Sequence, residues 1–89
     1  MIAGKPTITT QTLTLADTEY SVSIPAGAIR FEVKERTGAS LLRIAVASGG
    51  SYITIPYGAS YSEIDIKGPV TLYIQSPDAG AVVEIKYWK

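Results

Sequence analysis

Cysteine and histidine are both missing from this chain of 89 residues. Without cysteine no disulfide can staple the fold. Without either residue, zinc and copper sites lose their usual ligands, and the common Cys–His and Ser–His catalytic pairs cannot be built. No charge of one sign is in excess: eight Lys and Arg balance eight Asp and Glu. That leaves no basic surplus for phosphates, so nucleic acid is not expected as a partner. The apolar runs fall far short of a membrane span, and the opening "MIAGKPTITT" lacks the apolar stretch of a signal peptide. These absences predict a soluble protein made in a cytoplasm, with no membrane partner and no cofactor.

Small size adds a constraint. A domain of this length buries only roughly 60–65% of the surface that its unfolded chain exposes. Disulfides, metals and self-association are the usual reinforcements. Only the last is left here, so the sequence predicts a homo-oligomer.

What the chain does have is regular punctuation. Pro6, Pro25, Pro56, Pro69 and Pro77 sit at the edges of apolar runs, and most glycines fall in the same gaps. Turns recur about every 8–12 residues, the spacing of an all-β sandwich or barrel. The segments between them read as strands. "TITTQTLTL" (Thr7–Leu15) is rich in β-branched threonine. "YSVSI" (Tyr20–Ile24) alternates, with Tyr20, Val22 and Ile24 on one face. "IRFEVKER" (Ile29–Arg36) turns Ile29, Phe31 and Val33 inward and Arg30, Glu32 and Lys34 outward. "LLRIAVA" (Leu41–Ala47) is nearly all apolar, as a strand covered on both sides would be. "VTLYIQ" (Val70–Gln75) and "VVEIKYW" (Val82–Trp88) alternate again. "YITIP" and "YSEIDI" flank a Pro-Tyr-Gly turn and read as a hairpin, with Ile64 and Ile66 inward and Glu63 and Asp65 outward. No internal repeat stands out. The expectation is a compact antiparallel sandwich of about eight short strands, jelly-roll or Greek-key like, with a small β-barrel as the alternative. Residues 1–10 would form an N-terminal arm and the start of the first strand, and residues 11–89 a single domain.

Chemistry is sparse. Glu63 and Asp65 share one strand face, as an acid pair needs, but a solvated amphipathic strand explains them better. Glu63, Asp65 and Asp78 lack the acidic density of a calcium loop. "SPDAG" and "ADTE" read as turns. Catalytic and metal-binding residues are therefore not expected. The aromatic set is more telling, with six tyrosines and one tryptophan against one phenylalanine. Tyr52, Tyr57 and Tyr61 are candidate contacts for a partner or a glycan. Tyr73 and Trp88 stand in the outward register of their strands and are candidate anchors of an oligomer interface.

Three stretches, "TLTLADTEYSVSIPAGAIRFEVKER", "GSYITIPYGASYSE" and "GPVTLYIQSPDAGAVVEIKYW", resemble a group of small β-sandwich virion proteins of tailed bacteriophages. The likeness spans about Thr12 to Trp88 and rests on turns and alternation. It implies a virion structural protein, of the capsid decoration or cement type, that stabilises the head from outside as a trimer. Head-fibre and tail components, or a carbohydrate-binding host-attachment module, are the alternatives. The partner would be the major capsid protein or another virion protein, contacted by an arm carrying Ile2, Lys5, Pro6 and Ile8. No catalytic residue is implied.

Overall fold

The computed structural model describes residues 5–67 and 69–89. Eight strands form: β1 (Thr7–Leu13), β2 (Tyr20–Ile24), β3 (Arg30–Glu35), β4 (Leu42–Ala45), β5 (Ile53–Ile55), β6 (Ser60–Ile64), β7 (Val70–Gln75) and β8 (Ala81–Trp88). They make two antiparallel sheets of four strands. Sheet I has the order β1-β8-β3-β6 and sheet II the order β2-β7-β4-β5. The pairings β1 with β8, β2 with β7, β3 with β6 and β4 with β5 are those of a long two-stranded ribbon. Rolling that ribbon brings β3 beside β8 and β4 beside β7. This is a jelly roll. The two sheets remain separate, so the sandwich is realised and the barrel is not.

Alternation builds the core. Leu13, Phe31, Val33, Val83 and Ile85 of sheet I face Ile24, Leu42, Ile44, Leu72 and Ile74 of sheet II, all fully or almost fully buried. At about 25 cal/mol per Å² of apolar surface removed from water, this single cluster is the main source of stability.

Two of the three connections that carry the chain from sheet II to sheet I are tight corners of one kind. Both have the sequence Pro-x-Gly-Ala: Pro25–Ala28 leads from β2 to β3, and Pro56–Ala59 from β5 to β6. In each, the alanine N–H donates to the proline carbonyl, at 3.2 and 3.1 Å. Gly27 and Gly58 take positive φ, 91° and 74°, the requirement of a type II turn at its third residue. The repeated corner escaped the sequence reading because only four residues recur.

Four expectations need correction. The Tyr52–Ile66 stretch is not a hairpin, since β5 and β6 belong to different sheets. In β6, Tyr61 and Glu63 pair with the inward Val33 and Phe31, while Ile64 pairs with outward Arg30 and is 65% exposed. The register is thus the reverse of the expected one. Asp65 then adopts φ 56°, a left-handed conformation that Asp tolerates, and turns the next side chain, Ile66, back onto the core. At the start of β3, Ala28 is buried and Ile29 is exposed, because the corner tucks its alanine inward. Finally, β4 is only four residues long: Leu42 and Ile44 meet the core, Arg43 points away, and Val46 lies outside the strand and exposed.

Candidate interaction surfaces

On the outer face of sheet I, β3 and β8 lie side by side. Glu32 stands opposite Lys86 and Lys34 opposite Glu84. Lys86 Nζ lies 3.4 Å from Glu32 Oε1, Lys34 Nζ 3.9 Å from Glu84 Oε1, and Arg36 Nε donates to Glu84 Oε2 at 3.1 Å. Such solvated pairs add little stability, and they engage both acids of the face, Glu32 and Glu84. A hollow of about 210 Å³ over this ladder is lined by Ile8, Glu32, Lys34, Glu84 and Lys86. It is smaller than the roughly 300–1,000 Å³ of small-molecule sites.

Trp88 closes the same face. It is in the outward register, as expected, yet only 7% exposed. The Arg30 guanidinium lies 4.6 Å from its ring centroid and Lys86 Nζ 5.4 Å. These two cations cover the ring within the chain, so Trp88 is not the exposed interface anchor that its register suggested. Its Nε1–H has no acceptor among the described residues.

The outer face of sheet II is different. Tyr73 pairs with Ser21 on one side and Ala45 on the other, and is half-buried. Ala45 is buried although it points away from the core. The β4–β5 loop is tied to the other side of the sheet: Glu19, just before β2, accepts bonds from Ser48 Oγ (2.7 Å) and Gly49 N (3.1 Å). Because β7 separates β2 from β4, that contact spans β7. Beyond it, Arg43 Nη1 donates to Asp17 Oδ1 at 3.0 Å and its guanidinium lies 5.7 Å from the Tyr52 ring centroid. Asp17 is held for this by φ 53° and by its N–H bond to Ser76 O at 2.7 Å. The Asp17 turn was legible in sequence; its pairing with Arg43 was not, since 26 residues separate them.

The three tyrosines of the opening turn do not meet. Tyr52 lies beside Arg43 on sheet II, Tyr57 stands at the β5–β6 corner, and Tyr61 faces inward. The Tyr61 ring meets Phe31 edge-on at 5.7 Å and its hydroxyl donates to Glu63 Oε2 at 2.7 Å. Burial, with that bond and the carboxylate charge, pushes the Tyr61 pKa up to about 12. Tyr61 is therefore a structural ring, and no shared aromatic platform for a sugar is assembled. Tyr57 is 60% exposed and free.

Of the four expected arm residues, three can be placed. Ile2 lies outside the described residues. Lys5 is exposed and Pro6 half-buried, but Ile8 is already in β1, opposite Lys86. As for acids and metals, Glu63 is tied to Tyr61 and Asp65 sits in the turn that follows. No group of three or more potential metal ligands occurs among the described residues.

One acid was missed altogether. Glu35 continues the inward alternation of Phe31 and Val33, and is only 7% exposed. Burial alone would raise its pKa. Bonds to Oε1 from Thr37 Oγ1 (2.7 Å) and Thr37 N (3.0 Å), aided by the Val82 and Gly38 amides, outweigh that and hold it below the usual 4.5. It orders the β3–β4 loop and touches no cleft. The alternation itself was the available signal. In comparison with known proteins, the chain matches no protein-family model, and neither a curated protein nor a solved structure is significantly similar to it.

Proposed function

We propose that this chain is a non-enzymatic structural protein of a virion, made in the host cytoplasm and docked on the outside of a tailed phage head. The observation that carries the reading is the placement of large apolar and aromatic side chains outside the core. Ile8, Leu15, Val46, Tyr57 and Ile64 all stand more than half exposed on a small jelly roll whose interior is already full. Side chains of that kind gain most by meeting a neighbouring protein surface. The sparse acid–base chemistry and the resemblance of the three sequence stretches to small virion proteins point the same way. The partner would be the major capsid protein or another virion protein, and repetition over the head would supply avidity.

Mass spectrometry and cryo-electron microscopy of purified particles test this. The expected result is many copies on the head surface. Absence from the particle overturns the reading, and a few copies confined to the tail or to fibres replace decoration with a tail or head-fibre role.

A further inference from the structure

Each sheet of the sandwich leaves two edge strands with unpaired backbone, and three of the four are blunted. On β6, Glu63 is an inward-register charge and Asp65 breaks the strand with a left-handed turn. β5 is three residues long and runs into Pro56. β2 is five residues long and runs into Pro25. Such charges, prolines and short lengths are what keep edges from pairing. β1 carries no charge and is not short, and its one flanking proline, Pro6, lies ahead of its first residue. It is seven residues long, "TITTQTL", and no charge occurs between Lys5 and Asp17. Thr7, Ile8, Thr9, Thr10 and Thr12 are exposed, so both faces of the strand are open as well as its edge. Among the described residues nothing but β8 pairs with it.

We propose that β1 pairs antiparallel with β1 of a second copy across a two-fold axis at Thr10, joining two copies of sheet I into one continuous eight-stranded sheet. Several observations select this occupant and this register. An axis at Thr10 engages the whole strand: Thr7 lies opposite Leu13, Ile8 opposite Thr12, Thr9 opposite Gln11, and Thr10 opposite itself. Each pair keeps its faces matched, so the outward set Ile8, Thr10 and Thr12 stays outward. β-Branched and hydroxyl pairs of this kind are favourable across strands. No charge on the strand meets its own image. The nearest charges, Glu84 and Lys86 on β8, are already matched by Lys34, Arg36 and Glu32. Ile8, 68% exposed in one chain, gains a neighbour in the second copy's Thr12. The pairing gives a two-fold assembly where the resemblance suggests a trimer. It does not depend on the virion reading.

The test uses the full chain in solution. Light scattering after size exclusion is expected to give twice the 9.5 kDa of one chain. Thr10→Lys faces its own Glu84, so the single chain tolerates it, but it sets two lysines against each other at the axis. Like charges there are expected to weaken association by at least about tenfold. Ser62→Lys, on the β6 edge, is expected to leave the mass unchanged. Cysteine gives the register. Residues directly opposite in an antiparallel pair have Cα atoms about 4.5–5.5 Å apart, within disulfide range. Under mild oxidation Thr10→Cys is therefore expected to link two chains, while Ile8→Cys, about four residues from its own image, is not. A mass of one or three chains overturns the proposal, and so does a dimer that Thr10→Lys leaves intact and Thr10→Cys fails to link.

Discussion

On the outer face of sheet I, lysines and glutamates stand opposite one another across β3 and β8. On the outer face of sheet II, Arg43–Asp17 is the one ion pair among the described residues, set beside Tyr52, Tyr73 and hydroxyl side chains. The inner faces obey one rule, because both must fill the same space with close-packed apolar groups. Outer faces have no such obligation. The central strands of sheet I, β3 and β8, spend their outward positions on contacts within the chain, and even the tryptophan is covered by Arg30 and Lys86, while the edge strands leave Ile8 and Ile64 exposed. Sheet II leaves hydroxyls and half-covered rings in reach of a neighbour. The difference separates surface that is already satisfied from surface that still has contacts to make.

The largest expected effect tests whether the two sheets share one core. Phe31→Ala in sheet I should cost about 3–5 kcal/mol and Leu72→Ala in sheet II about 2–5 kcal/mol. Both should shift a single urea transition, seen alike by circular dichroism and by Trp88 fluorescence. Separate transitions for the two probes would show that the sheets unfold independently. Next in size is Glu35, which has no counterpart on sheet II among the buried residues described. Glu35→Gln should cost about 1–3 kcal/mol at neutral pH, because the Thr37 donors lose a charged acceptor. The folded-state pKa lies below the ordinary 4.5. The carboxylate's contribution is therefore present above pH 4.5 and is lost as pH falls through the folded value. Urea midpoints of the wild type and variant should converge in that acid range. A gap that stays constant down to pH 2 would refute a role for the ionised form.

Much of this contrast is legible in the sequence. Phe31 and Val33, Leu72 and Ile74, and Val83 and Ile85 all face inward as their alternation requires. The opposite charges of "RFEVKE" and "VEIKYW" end up as cross-strand neighbours. Failures came where one backbone dihedral changes the register. Asp65 is an ordinary acid in sequence, yet its left-handed φ lets Ile64 face out and Ile66 face in. Pro-Tyr-Gly-Ala looks like a hairpin turn because the same residues suit a corner between sheets. Which sheet a strand joins is decided by packing of distant segments, and four residues carry no record of that. Trp88 failed for a related reason: its cover comes from Arg30, 58 residues earlier and adjacent only through the β3–β8 pairing.

A smaller effect compares the two cation–ring contacts. Arg30 lies closer to a buried indole than Arg43 does to the half-exposed Tyr52 ring. Desolvation strengthens such contacts, from about 0.5–1 kcal/mol when exposed to about 2 kcal/mol. Measured in an Asp17→Ala background, which removes the Arg43–Asp17 bond from the comparison, Arg30→Ala should therefore destabilise more than Arg43→Ala, by about 1 kcal/mol. Because the chain has one tryptophan, its emission should move to longer wavelength in Arg30→Ala and stay in place in Arg43→Ala. Equal emission in both variants would mean that Arg30 does not shield the indole.

Tyr57 should show the smallest effect on stability and the most selective effect on contacts. It occupies the same corner position as Ala26 in the other Pro-x-Gly-Ala turn. That turn forms with a methyl group at this position, so the fold needs no ring there. The Tyr57 side chain is mostly exposed and makes no side-chain hydrogen bond with the described residues. Tyr57→Ala should then change unfolding free energy by no more than about 0.5 kcal/mol. If the ring is held for a neighbour, the same variant should dock more weakly on particles lacking the protein, measured by co-sedimentation. Loss of stability would make Tyr57 a structural residue and end the comparison with Ala26. Unchanged stability with unchanged docking would remove the corner from the contact surface and leave the outer face of sheet II to carry it.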